Sequence, residues 1–318
     1  MITIFMETTN EEHPLKIRSA RACVSAGFRL YFGNFKRIFR ATWIPALVSA
    51  LVSAVYTQTA ITAITQAMQA FGMAGLAYAQ GLTQQYLAQS GMTLLNAVVS
   101  VVLMSYIFSM LTVHRAEGAI PRPARWWTLP DVHGLTRAIA SASVWLLTNI
   151  VVSSITVGIM LFGAARQSGT LIAAGLLVML IFGILLLPLV YPHMRYLTTR
   201  DTKLIGLLRT GYGQGLRQWG VIFAILITIV LIMMIVLSIT MLPAIVLVMA
   251  SIKSQAGVMI GDPVGMPSYM GWLSFVVFML SGFIQAYIVL AIHFPLYYMA
   301  GSIEQQEIQR HEKKNTLH

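Results

Sequence analysis

Charge is what this chain has least of. Asp, Glu, Lys and Arg make up 10% of its 318 residues against 57% hydrophobic, where a water-soluble domain carries about 25% charged residues. A soluble fold is excluded on that ground, and the 40 residues before the first long apolar run and the short loops leave no room for a separate soluble module. Cysteine is nearly absent. Cys23 stands alone, so no intramolecular disulfide forms, and its place on a basic helix reads as an inert thiol. The seven histidines are scattered with no pair at i, i+4 ligand spacing, so neither a metal nor another cofactor is expected. No apolar segment followed by a small-residue cleavage site precedes the first long run, so no cleavable signal peptide is expected.

What is present is an alternation. Six apolar runs, at 41–64, 92–113, 138–162, 171–191, 221–242 and 272–299, contain no charged residue, and each reaches the roughly 20 residues that cross a hydrocarbon core of about 30 Å. The expected fold is all-α: a polytopic transmembrane helical bundle of six spans arranged as three hairpins, with cytoplasmic interfacial amphipathic helices. Of the 21 lysines and arginines, all but Arg166 and Lys253 fall before the first run, between runs two and three, between runs four and five, or in the tail. The positive-inside rule then puts both termini and the second and fourth loops on the cytoplasmic side. Trp43, Trp126, Trp127, Trp219, Tyr191, Tyr196, Tyr297 and Tyr298 fall at the cytoplasmic boundaries, and Trp272 at an external one, as an interfacial belt requires. Trp145, about two turns inside the third run, is the exception. The net charge of +11 belongs to this membrane surface rather than to nucleic acid.

Four segments follow: a disordered N-terminus at 1–15, an interfacial amphipathic helix at 16–40, the six-span domain at 41–300, and a charged cytoplasmic tail at 301–318. In the helix, Ile17, Val24, Phe28, Tyr31, Phe35, Ile38 and Phe39 share a stripe about 100° wide, with Arg18, Arg29, Lys36 and Arg40 on its flank and Arg21 inside it. Such a helix lies in the headgroup plane with its cations against anionic lipid of the cytoplasmic leaflet, or anchors the chain by packing over the bundle. A second copy precedes span five: Asp201 as cap, Ile205, Leu208, Tyr212 and Leu216 as apolar face, and Lys203, Arg209 and Arg217 around it. The headgroup contacts expected are Arg18, Arg29, Lys36, Arg40, Arg209 and Arg217. A shorter version, 131–137, precedes span three. Gly33-Asn34-Phe35-Lys36-Arg37 and Gly215-Leu216-Arg217-Gln218-Trp219 hold similar places, and Pro188-Leu189-Val190-Tyr191 and Pro295-Leu296-Tyr297-Tyr298 end spans four and six alike, the pattern of an internal repeat.

The stretch Ser25-Ala26-Gly27-Phe28-Arg29-Leu30-Tyr31-Phe32-Gly33-Asn34-Phe35, together with Arg195 and Leu207-Leu208-Arg209-Thr210 before the Gly215 segment, resembles a group of bacterial six-span membrane proteins. That group is similar to the membrane domain found beside some glycerophosphodiester phosphodiesterases. The resemblance implies a helical membrane domain over most of the chain. It implies no hydrolase activity, because the soluble catalytic domain is lacking.

Chemistry inside the spans is sparse. A charge at mid-membrane costs about 2.5–3.5 kcal/mol on insertion scales and is kept for a purpose; none of the six runs has one, which argues against a proton relay and against a carboxylate-held metal. The polar intramembrane candidates are Asn96, Asn149, Gln285 and His293, beside Ser141, Ser143, Thr148, Ser153, Ser154 and Thr156. Such groups tie helices together or line a solute path. Ser281 and His293 sit about 18 Å apart along one helix and form no dyad within it. Gly211-Tyr212-Gly213-Gln214-Gly215 follows no strand and reads as a flexible link rather than a phosphate loop. Gln66, Gln69, Gln80 and Gln84 fit one helical face, and 257–271, with Pro263 and Pro267, reads as an irregular loop. The leading expectation is a non-catalytic multi-pass protein with a scaffold, lipid-organising or accessory role, partnered by membrane lipids and an unidentified membrane protein. A channel or carrier for a neutral or lipid-like solute is the alternative, marked by a water-filled cavity reaching Asn149 and Gln285. An intramembrane enzyme, marked by nucleophiles converging on His293 from other helices, comes third.

Overall fold

A chain with so few charges can satisfy its backbone in lipid only through helices or a closed barrel, and helix is what forms. The computed structural model describes residues 14–70, 76–121, 131–200, 202–259 and 267–316. Among them no strand occurs. The helices are α1 (Ala20–Gly33), α2 (Phe35–Ala70), α3 (Leu76–Glu117), α4 (Val132–Ala165), α5 (Gly169–Leu186), α6 (Val190–Thr198), α7 (Leu204–Arg217), α8 (Trp219–Met259) and α9 (Met270–Asn315), with a 3-10 turn at Leu187–Leu189 joining α5 to α6. Six stretches are long and apolar enough to cross a membrane: Phe35–Thr62, Ser90–Glu117, Val132–Gly163, Gly169–Thr198, Trp219–Ser254 and Met270–Asn315. They coincide with the six charge-free runs. Every helix carrying a span overruns its run at one or both ends, which brings charged residues such as Arg115 and Glu304 into continuous helix. The expectations for residues 1–13, the glutamine side chains of 66–84, Trp126, Trp127, Asp201 and Pro263 lie outside the described residues.

Three local expectations need correction. The amphipathic segment 16–40 is two helices, not one, because α1 ends at Gly33 with Asn34 as cap. The Asn34 amide bonds back to the Leu30 and Tyr31 carbonyls, and its side-chain Nδ2 also donates to Leu30 O at 3.1 Å, so the cap satisfies carbonyls that a helix end otherwise leaves open. The 301–318 tail is not a tail over its first half: α9 runs on to Asn315, and Ser302, Ile303, Glu304 and Glu307 are buried. Nor is the Gly211–Gly215 stretch a flexible link; it is the middle of α7. The buried face of α7 is Leu207, Gly211 and Gly215, while Ile205 of the expected apolar face is 82% exposed. The small side chains decide this. A Cβ on Gly211 would lie 2.7 Å from Pro192 Cβ, and one on Gly215 would collide with the Pro188 carbonyl, so glycine lets the helix back onto the proline segment.

The chain divides into two compact units. The first holds Met1–Ile38, Ser105–Val230 and Ala291–His318. Here α1 rests on α9 through Gly27, whose missing side chain makes room for Phe294 and Pro295; proline has no N–H at that point to leave unsatisfied. Pro14, inside the segment expected to be disordered, is buried against Gly301. The α4–α5 hairpin closes where Gly163 meets Leu171 and Gly175 meets Met160. The second unit holds Phe39–Met104 and Leu231–Leu290. Ala54, Leu247 and Phe278 form its core with Ile61, Ala244 and Phe275 around them. A Cβ on Gly282 would lie 3.4 Å from the Ala50 Cα, the same small-residue logic that brings membrane helices together.

Candidate functional site

The densest polar constellation lies in the first unit and hangs on α9. Glu304 and Glu307, one helical turn apart, are both buried. Three of their four partners come from other helices. Arg115, in the last turn of α3, donates to Glu304 at 2.6 Å, and Arg195, in the last turn of α6, reaches the other Glu304 oxygen at 3.3 Å. Arg217, the last residue of α7, approaches Glu307 at 3.6 Å, and Arg310 bonds it at 2.8 Å from the next turn of α9. The pairs extend into neutral groups: Arg195 Nη1 donates to Tyr191 Oη at 3.4 Å, and Tyr191 Oη donates to Gln214 at 3.3 Å. One ring away, His114 Nδ1 and Tyr297 Oη are 2.9 Å apart. Cations at the carbonyl ends of α3, α6 and α7 also suit the helix dipole. Two buried carboxylates thus face four guanidiniums, which compensates their charge and clamps three helix ends onto α9.

None of these acids was a sequence candidate, because Glu304 and Glu307 read as tail. The missed signal is spacing. Met299, Ala300 and Ile303 continue the apolar helical pattern past Tyr298, so Glu304 and Glu307 belong to a face that is still buried.

The expected headgroup cations separate into two groups. Arg29, Lys36, Arg40 and Arg209 are exposed. Arg18 instead turns onto the protein: its guanidinium lies 4.8 Å from the Tyr298 ring centre and donates to the Pro14 and Lys16 carbonyls, while its backbone N–H donates to Ser302 Oγ at 2.9 Å. Arg217 is shared, 60% exposed yet facing Glu307. The polar intramembrane candidates are not brought together within either unit. Asn149 is exposed and donates to the Trp145 carbonyl one turn back, as Ser143, Thr148 and Thr156 do to Ile139, Val144 and Val152. Asn96 accepts from Ser53 at 3.3 Å, Gln285 is exposed, and the His293 ring packs edge-on against Phe108.

A Ser–His contact does form elsewhere, between Ser141 Oγ and His193 Nδ1 at 2.9 Å, with the Trp145 ring centre 5.1 Å from that of the imidazole and tilted 33° to it. Trp145, the exception to the interfacial belt, thus has a ring partner inside its span. Both Ser141 and His193 are buried, so the contact joins α4 to α6 in the interior. Cys23 is fully buried, and burial pushes its thiol up to about 11 against the opposing effects of Arg18 and a hydrogen bond to Ser302; a thiol so placed is a poor nucleophile. Among the described residues no group of three or more His, Cys, Asp or Glu comes together to hold a metal.

The chain matches no family model, and neither a curated protein nor a solved structure matches it.

Proposed function

We propose that this chain is a non-catalytic multi-pass protein of the bacterial inner membrane, with both termini in the cytoplasm, that organises anionic lipid around its basic end as a scaffold or accessory component. The observation that carries the reading is the exposed junction of α1 and α2. There Phe32 (68% exposed) and Phe35 interleave with Arg29 and Lys36, apolar rings for the acyl boundary beside cations for the phosphates. Arg209 beside Ile205 on α7 supplies the same pairing. The acids clamped on α9 support a structural role for the remaining charge, since each faces guanidiniums. The self-bonded hydroxyls and amide of α4 favour packing over a solute path.

The test uses the full chain in vesicles of phosphatidylcholine containing a brominated phosphatidylglycerol, with quenching of tryptophan as readout. Trp43 stands in the third turn of α2 and Trp219 opens α8, close in sequence to these cations. The variant Arg29→Gln, Lys36→Gln, Arg40→Gln, Arg209→Gln is expected to lose the preference for the anionic lipid, at about 1 kcal/mol per cation at the surface. Equal quenching in variant and wild type refutes the lipid-contact role.

A further inference from the structure

A small cavity of about 60 Å³ opens at the start of α4, lined by Ser109 and Thr112 of α3, Asp131, His133, Gly134 and Arg137 at the α4 N-terminus, Leu197 of α6, and Thr199 and Arg200 just after it. Two hydroxyls at its wall stand out. Ser109 Oγ and Thr199 Oγ1 are each buried without a hydrogen-bond partner, and Ser109 as a residue is only 6% exposed. A buried hydroxyl left without a partner costs about 1–3 kcal/mol, so two at one cavity mark a place where a polar guest is missing from the protein's own inventory. The Ser109 oxygen is directed at Gly134: a Cβ there would collide with it. Glycine in this first turn therefore keeps the way open between the hydroxyl and the helix end.

The chemistry of the wall selects the guest. The first-turn amides of a helix have no carbonyl partner within it and point, with the positive end of the dipole, out of the N-terminus. Here that end belongs to a 34-residue helix. Arg137 is fixed beside it, its guanidinium 4.0 Å from the centre of the Tyr196 ring and bonded to the Tyr196 and Arg200 carbonyls and to Thr202 Oγ1 at 3.0 Å. Arg200 is exposed at the rim. Against these two cations, two donor hydroxyls and a helix N-terminus stands one carboxylate, Asp131, at the position that begins the helix. Donors and positive charge prevail. The volume holds a few water-sized groups, the size of one tetrahedral oxyanion.

We propose that this cavity binds a phosphate group, with Ser109 and Thr199 donating to its oxygens, the α4 N-terminus and Arg137 supplying the field, and Arg200 closing the rim. The phosphate is either free in solution or the monoester headgroup of a lipid such as phosphatidic acid. This site involves none of the exposed cations on which the lipid-organising role rests, so either reading can fail without the other.

Purified full-length protein in detergent is titrated with inorganic phosphate by calorimetry, and the protein in phosphatidylcholine nanodiscs is titrated with short-chain phosphatidic acid. Saturable binding in either arm is expected, and the arm that shows it identifies the source. Ser109→Ala and Arg200→Gln are each expected to weaken it about tenfold, the loss of one hydrogen bond to a charged partner. Lys314→Gln, at an exposed site near the end of α9, should leave it unchanged. Arg200 is a rim residue, so that variant keeps the test valid even where Ser109→Ala disturbs packing. Absence of binding in both arms, or binding unaltered by both variants, overturns the proposal.

Discussion

Glu304→Gln is the substitution that bears hardest on the clamp. It preserves shape, removes the charge, and deprives Arg115 and Arg195 of their common partner at 2.6 and 3.3 Å. A hydrogen bond to a charged group contributes about 1.5–3 kcal/mol, and removing one member of a fully buried pair costs about 3–5 kcal/mol, because the other charge stays buried and uncompensated. The Arg195 side chain is 26% exposed and that of Arg115 14%, so water recovers part of their solvation and the low end applies, about 3 kcal/mol. At roughly 2–4 °C per kcal/mol for chains of 150–250 residues, the melting temperature falls by about 6–12 °C.

The protein carries its own reporter for this measurement. Cys23 is the single cysteine, fully buried on α1, beside Ser302 of α9. A fluorogenic maleimide labels it when α1 leaves α9, so the labelling midpoint on heating reads the stability of the region that Glu304 holds. A double-mutant cycle with Arg115→Gln separates the pair from mere loss of packing. If Arg115 and Glu304 are coupled, the double variant loses less than the two singles together by about 0.5–3 kcal/mol. A Glu304→Gln melt superposed on wild type, or strict additivity in the cycle, refutes the clamp.

The glycine contacts give a second contrast. Gly27→Ala and Gly211→Ala, which push a methyl into Pro295 and Pro192, should each destabilise by about 1–3 kcal/mol, whereas Gly213→Ala, with open space on the same helix, should hold or raise stability by up to about 1 kcal/mol; the Cys23 labelling midpoint ranks them, and equal effects at 211 and 213 would dismiss the close-approach argument. The thiol itself supplies a pH test. Its folded value of about 11 lies above the ordinary cysteine value near 8.5, so its contribution is complete below about pH 8.5 and is lost as pH rises to about 11. Tryptophan-fluorescence melts should show wild type losing more stability over that range than Cys23→Ala, and parallel curves would contradict it.

The spans were legible because lipid imposes a requirement on every residue of a run, and a run of apolar residues records it without help from the rest of the chain. The clamp was not, because its inter-helix pairs join residues far apart in sequence, 189 positions for Arg115 and Glu304, and periodicity speaks only of neighbours. The break at Asn34 escaped for a different reason: Phe35, Ile38 and Phe39 continue the apolar stripe of α1 in phase, so the pattern of 3.6 has no gap where the cap turns the chain. On α7 the sequence misled, since large apolar residues look like a core face while the face that packs is the one with glycines.

Those glycines give the suspected repeat its physical content and correct its register. α1 and α7 are both 14-residue helices, ended by Asn34 and Gln218 with the same bonds: each cap amide returns to the carbonyl four residues back, and each cap carbonyl accepts the first amides of the next helix, from Arg37 and Ile38 or from Val221 and Ile222. The equivalent of Asn34 is thus Gln218, two positions later than Gly33 and Gly215 suggest. In that register Gly27 falls on Gly211, each set against a proline, and the fully buried Ile38 falls on the fully buried Ile222. The identities that match are few because the geometry needs few: a residue without a side chain where two backbones meet, a capping side chain or amide, and one large apolar residue to seat the following span. On the outward faces of α1 and α7, which carry Arg29 and Phe32 or Ile205 and Arg209, cations and apolar side chains can exchange freely so long as both remain.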